Sequence, residues 1–204
     1  MRDRVTTSRR QSTETALQDA ARQVFAEKGY LNTTITDITR RAGRSAGSFY
    51  NYYDTKQQLL TALLAAFPRR IVDRALDDLG TDWRATVEAA VRAYVRTFRD
   101  YLPEMIGAFQ LAMTDAEAAL WWRSMRKQGI DAVLALVDSV EADGVTVDLD
   151  HGTFASAIVS MLESYCWTWL AAGGDDGPTE YDEETAVRTI ATMWQRAMVG
   201  PSGP

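Results

Sequence analysis

Residues 34–53, TITDITRRAGRSAGSFYNYY, constrain the fold more than any other stretch. They read as two short helices joined by a tight turn. Thr34 is placed to cap the first, with Asp37 three residues on as a near capping box, and Ile35, Ile38 and Ala42 give that helix an apolar face. Gly43 follows at the point where a helix C-terminus takes a left-handed residue without steric penalty. Ser45 caps the second helix, whose Phe49 and Tyr53, four apart, fall on one face. Helix, three- or four-residue turn with glycine, helix is the arrangement that carries a helix into the DNA major groove.

Apolar spacing extends the helical reading in both directions. Leu17, Ala20, Ala21, Val24 and Phe25 form the buried stripe of a first helix over about 12–28, ended by Gly29, which closes a three-helix domain. The polar, Arg-rich residues 1–11 read as a flexible arm. Asp54-Thr55-Lys56-Gln57 caps a fourth helix with Leu59, Leu60, Leu63, Leu64 and Phe67 as its core. Pro68 must break or kink that helix, and the domain boundary is expected there. Further helices follow over about 82–101, 104–113, 115–142, 150–172 and 182–198, with the loop 173–178 before the last. The expected architecture is all-α: a three-helix helix-turn-helix domain over 12–67, a larger helical bundle over 68–199, about nine helices in all, and a disordered tail over 200–204.

The net charge of −6 divides unevenly: residues 1–56 hold ten Lys and Arg against six Asp and Glu, leaving twelve against twenty-two for the rest. A basic quarter on an acidic body suits a chain that meets a polyanion at one end. No apolar run approaches a membrane span, and the polar, Arg-containing start lacks signal-peptide character. The single cysteine, Cys166, excludes an intrachain disulfide and a cysteine metal cluster, so a cytoplasmic location is the expectation.

Thr33-Thr34-Ile35-x-Asp37-Ile38, Ala42-Gly43-x-Ser45-x-Gly47-Ser48-Phe49-Tyr50-x-Tyr52-Tyr53, Lys56 and Leu59-Leu60 together resemble the DNA-binding domain of the TetR family of transcriptional regulators. The resemblance covers roughly residues 12–64; the remainder is similar only in length and helical character. It implies contact with a double-stranded operator from Arg44, Ser45, Ala46, Gly47 and Ser48, from Tyr50, Tyr52 and Lys56, and from Thr34 and Thr36 on the backbone. Ala46 and Gly47 offer van der Waals contact, and Gly47 permits close approach. Arg44 departs from the small apolar residue common in this turn; it can pair with guanine, hold a phosphate or be solvated. Arg40 and Arg41 read as general phosphate contacts or a solvated face, and Phe49 and Tyr53 as core.

The resemblance also implies a homodimer formed through the two C-terminal helices, since a single helix-turn-helix reads few base pairs and two copies normally sit one DNA turn apart. Those helices carry Phe154, Ile158, Leu162, Tyr165, Trp169, Val187, Ile190, Met193, Trp194 and Met198, divided between core and interface. A small apolar or aromatic effector is expected against Phe98, Tyr101, Met105, Phe109, Trp121, Trp122, Met125, Met161 and Tyr165, although aromatic and Met stripes are more often core than cavity. Glu163, in the apolar run MLESYCW, either faces solvent or recognises a cationic or hydroxylated group. Effector binding would release the repressor by moving the heads, with Pro68 as the joint.

An enzyme is not expected. The lone histidine, His151, lies near a helix start without a partner pattern, and no Gly-rich phosphate loop, metal set or cofactor motif occurs. The rival reading is a helical small-molecule-binding or scaffold protein without DNA binding.

Overall fold

The computed structural model describes residues 2–78, 82–176 and 180–199, with side chains from Arg10 onward; the tail expected over 200–204 lies outside these residues. The described residues form helices and connecting turns with no strand: α1 (Arg2–Lys28), α2 (Ile35–Arg41), α3 (Ala46–Tyr50), α4 (Lys56–Leu64), α5 (Phe67–Asp77), α6 (Trp83–Asp100), α7 (Leu102–Ala112), α8 (Ala116–Ala142), α9 (His151–Cys166) and α10 (Glu183–Val199), with a π-helical turn, Trp167–Ala171, extending α9. Helix α1 begins at Arg2, so residues 2–11 of the expected arm continue the first helix; no Gly or Pro interrupts them.

The chain divides into two compact units. The first comprises Met1–Ala66 and Pro103–Ala119, the second Phe67–Leu102 and Leu120–Pro204. The first unit therefore takes in most of α7, a stretch expected from sequence in the larger domain. In that unit Leu17, Val24, Phe25, Ile38, Phe49, Leu59, Leu60, Leu63 and Leu64 are buried. The Phe49 and Tyr53 rings lie 5.7 Å apart. The Tyr53 hydroxyl accepts from Gln18 Nε2 at 2.8 Å and donates to Glu14 Oε1 at 3.3 Å, joining the turn after α3 to α1.

Helix α7 is fixed to the same core. Glu104, only 2% exposed, accepts from Arg22 Nε at 3.1 Å. Burial raises its pKa, with the Arg22 charge opposing. Gly107 permits close approach: a Cβ there would lie 2.6 Å from Tyr30 Cβ, so no larger residue fits without displacement.

The expected fourth helix is two helices, and the break precedes Pro68. Proline lacks the amide hydrogen that would bond to the carbonyl four residues back, and its ring clashes with that carbonyl. That residue is Leu64, where α4 ends; Pro68 is accommodated in the first turn of α5.

In the second unit Val87, Val91, Val95 and Phe98 of α6, Phe154, Ile158, Leu162 and Cys166 of α9, and Val187, Ile190, Trp194 and Met198 of α10 are buried. Arg92 pairs with Glu184 at 2.9 Å and Arg96 with Glu183 at 2.9 Å, tying α6 to α10. Most of the apolar residues expected to be shared with a dimer interface are thus buried within the single chain, whereas Met193 is 55% exposed.

Candidate nucleic-acid interface and effector site

The α2–turn–α3 element is built from local hydrogen bonds. The Thr34 hydroxyl accepts from Asp37 N at 3.1 Å while Asp37 Oδ2 accepts from Thr34 N at 3.0 Å, completing the capping box. Lys28 Nζ donates to Asp37 Oδ1 at 2.8 Å. These bonds, Lys28 foremost, hold the Asp37 carboxyl well below the usual carboxylate range. At the other end Gly43 takes φ +62°, and Arg44 N donates to Thr39 O at 2.8 Å, a Schellman closure. Ser45 then caps α3, its hydroxyl accepting from Ser48 N at 3.2 Å. The fourth helix is capped one residue later than expected: Thr55 accepts from Gln58 N at 3.0 Å, and Gln58 Oε1 accepts from Asp54 N.

Of the residues expected at the operator, Thr34, Thr36, Arg44, Ser45, Ala46, Gly47 and Tyr50 are exposed, and Ser48, Tyr52 and Lys56 are half-buried. Arg44 donates to the carbonyl of neighbouring Gly43 at 3.3 Å. Thr34 is committed to its cap. Tyr52 donates to Arg10 O at 3.1 Å, and the Arg10 guanidinium lies 5.8 Å from the Tyr52 ring centroid. Arg10 thereby stands beside Tyr52; the sequence marked it only as part of the Arg-rich stretch 1–11. Lys56 is turned inward, donating to Tyr30 O and Thr33 O at 2.7 and 2.6 Å. Arg41 makes a bidentate pair with Glu27 at 2.8 and 2.6 Å, whereas Arg40 is exposed beside Asp37 at 3.9 Å.

The expected effector residues do not all fall together. Phe98, Tyr101, Trp121, Trp122, Met125, Met161, Glu163 and Tyr165 belong to the second unit, Met105 and Phe109 to the first. Phe98 and Met125 are buried. Phe67 meets the rings of Tyr94 and Tyr101 edge-on at 6.1 and 5.6 Å. Glu163 neither faces solvent nor stands alone: it pairs with Arg126, which also donates to Ser160 Oγ at 3.0 Å. Burial drives the Tyr94 hydroxyl far above its ordinary pKa, with Cys166 adding to the rise and Arg126 opposing it. Cys166 itself is pushed up to about 12 by burial, an inert thiol.

Beyond Cys166 the π-helical turn carries Trp169 into a row of rings, Tyr165–Trp169 and Trp169–Tyr181, each at 6.2 Å. The Tyr181 hydroxyl and the Trp194 indole N–H are buried without a hydrogen-bond partner among the described residues. Arg126 and Tyr181 gave no signal in the sequence because their partners, Glu163 and Trp169, are remote from them in the chain. His151 lies 3.4 Å from Glu141, a surface pair. No helix among the described residues is long and apolar enough to cross a membrane.

The sequence profile of bacterial regulatory proteins of the tetR family matches residues 17–63. The chain is similar to the HTH-type transcriptional repressor KstR2 of Rhodococcus jostii, 37% identical over 95 residues, covering 42% of this chain and 43% of that one. It is similar to the HTH-type transcriptional regulator TtgW of Pseudomonas putida, 32% identical over 92 residues, covering 44% and 69%. The fold is similar to the solved structure of a bacterial regulatory protein in the tetR family from Rhodococcus RHA1, with TM-score 0.72 at 20% identity, covering 93% of this chain and 98% of that one.

Proposed function

The chain belongs to the TetR family of transcriptional regulators, and from that membership we propose that it acts as a homodimeric repressor, gripping a palindromic operator until a small apolar or aromatic effector releases it. The observation that carries the operator reading is the exposed surface of the α2–turn–α3 element. Arg44, Ser45, Ala46, Gly47 and Tyr50 are all open there, with Arg40 one turn back, on a backbone held rigid by three caps. Arg44 supplies a fork for guanine or phosphate, Ala46 and Gly47 permit close approach to base edges, and Tyr50 brings a hydroxyl for phosphate.

Two copies must stand about 34–36 Å apart to read successive major grooves. Helix α9 offers a second copy the exposed small residues Thr153, Ala157, Ser160 and Ser164, and α10 offers Met193, Thr189 and Arg196. Small side chains allow close helix approach, and Met193 supplies apolar area.

The effector site is proposed in the second unit, around Phe98, Tyr101, Trp121, Trp122, Met125, Met161, Glu163 and Tyr165. The row Tyr165–Trp169–Tyr181 and the Tyr181 hydroxyl, without a partner among the described residues, support a flat ligand with a hydrogen-bonding group. Glu163, neutralised by Arg126, favours an uncharged ligand over a cation. The deciding experiment is a mobility shift with DNA flanking the protein's own coding region, at two salt concentrations and against a scrambled duplex. Selective retardation with dimer stoichiometry is expected; equal retention of both duplexes defeats the reading.

A further inference from the structure

Lys56 opens α4 where a phosphate contact is expected, yet its ammonium points into the fold. Two of its three N–H groups are taken by backbone carbonyls, Tyr30 O at 2.7 Å and Thr33 O at 2.6 Å. Nζ also lies 4.3 Å from the centroid of the Tyr30 ring. Tyr30 and Thr33 are only 3% and 2% exposed, so their carbonyls need partners inside the protein. Thr33 N also donates to Tyr30 O at 3.2 Å, and the Thr33 hydroxyl donates to Gly29 O at 2.8 Å. The loop between α1 and α2 is thus gathered onto one ammonium, and the next residue is Thr34, the cap of α2.

Tyr30 bears a second load. The backbone of α7 passes so close at Gly107 that an added Cβ would lie 2.6 Å from Tyr30 Cβ and 2.9 Å from Cγ. The Phe25 ring holds the Tyr30 ring edge-on at 5.3 Å. Tyr30 is therefore clamped by α1, α4 and α7 at the point from which α2 departs.

We infer that Lys56 is a positioning residue for operator recognition: with Tyr30, and with α7 backing Tyr30 at Gly107, it sets the angle at which α2 and α3 meet DNA, and it does not neutralise a phosphate. The inference rests on the operator reading above. Burial, which lowers the Lys56 pKa, agrees with an inward ammonium.

The test compares the wild type, Lys56→Met, Lys56→Arg and Gly107→Ala on the operator-bearing duplex and a scrambled duplex across a salt series. Removing a cation that neutralises one phosphate of B-DNA lowers the slope of log K against log salt by about 0.9 and weakens both duplexes together. Removing a positioning residue leaves slope and scrambled binding unchanged while specific affinity falls. Lys56→Met is expected to lose about tenfold on the operator alone. Lys56→Arg should recover part of that loss, and Gly107→Ala should show the same operator-only loss with Lys56 intact. A slope reduced by about 0.9 with equal loss on both duplexes overturns the inference, as does wild-type operator affinity in Lys56→Met. If the wild type retains no duplex selectively, the operator reading itself fails. The brace is then judged by amide hydrogen exchange over 31–41, which Lys56→Met must accelerate; an unchanged rate overturns it.

Discussion

Arg126 on α8 closes on Glu163 on α9, both side chains about four-fifths buried, and the same guanidinium reaches Ser160 one turn earlier. A pair so placed is stabilising only while both charges are present, because removing one leaves the other buried without compensation. Replacing Glu163 with Gln keeps the shape and removes the charge. Glu163→Gln is expected to lower the melting temperature by several degrees, a loss of about 1–3 kcal/mol. The same variant reads the ligand site: an effector affinity equal to the wild type removes Glu163 from it.

Arg44 is the exposed cation nearest the start of α3, its guanidinium donating to the carbonyl of Gly43 in its own turn. Pairing bidentately with a guanine edge, it would contribute about 1–3 kcal/mol to the specific site and little elsewhere. Arg44→Ala is therefore expected to weaken operator binding about five- to a hundredfold and scrambled binding much less. Fluorescence anisotropy on both duplexes checks this; equal losses leave Arg44 a phosphate contact.

The parts of this element that sequence made legible are those that close within a few residues. Thr34 with Asp37, Ser45 with Ser48, and Gly43 in the left-handed region are pairings three residues apart or single-residue backbone states, and each leaves a local mark. Lys56 left none. Its partners are main-chain carbonyls 26 and 23 residues away, which every residue type carries, so its side chain reads as free. Gly107 likewise reads as an ordinary helix interior until Tyr30 is brought against it. Glu163 stood out as a charge in an apolar run, but Arg126, its partner, lies in an ordinary charged stretch of α8. The Pro68 break was legible and its position was not, because the clash falls on the carbonyl four residues before the proline.

Asp37 makes the α2 cap sensitive to acid. Its folded pKa lies below its unfolded value, so its contribution is fully present above the unfolded pKa and is lost as pH falls through the folded one. Melting temperatures should fall as pH drops below about 4, the ordinary Asp value, with Asp37→Asn less dependent on pH over that window and less stable at neutrality. Parallel melting curves for the two proteins across the range would remove Asp37 from the acid response.

Phe49 is completely buried in the first unit, against Tyr53 and edge-on to Tyr50. Phe49→Ala empties a ring-sized volume and should destabilise that unit by about 3–5 kcal/mol. DNA binding would fail through unfolding, so lowering the temperature or adding a stabilising osmolyte should recover affinity in part. Failure to recover any binding in a variant with native circular dichroism would move Phe49 from core to interface.

Pro68 stands at a covalent crossing between the units, Ala66 ending one and Phe67 opening the other. The proline forbids the hydrogen bond to Leu64 that would run α4 into α5, and α5 is anchored in its own unit by Phe67 against Tyr94 and Tyr101. Pro68→Ala restores the donor and removes the ring, so α4 and α5 can join as one stiff rod. A joint that lets a ligand-bound body turn a head would be frozen by that change, and effector-driven release should weaken while effector binding persists. Operator release titrated with effector, beside direct effector binding, separates the two. Wild-type operator affinity together with wild-type release would leave the break as a packing feature with no part in signalling.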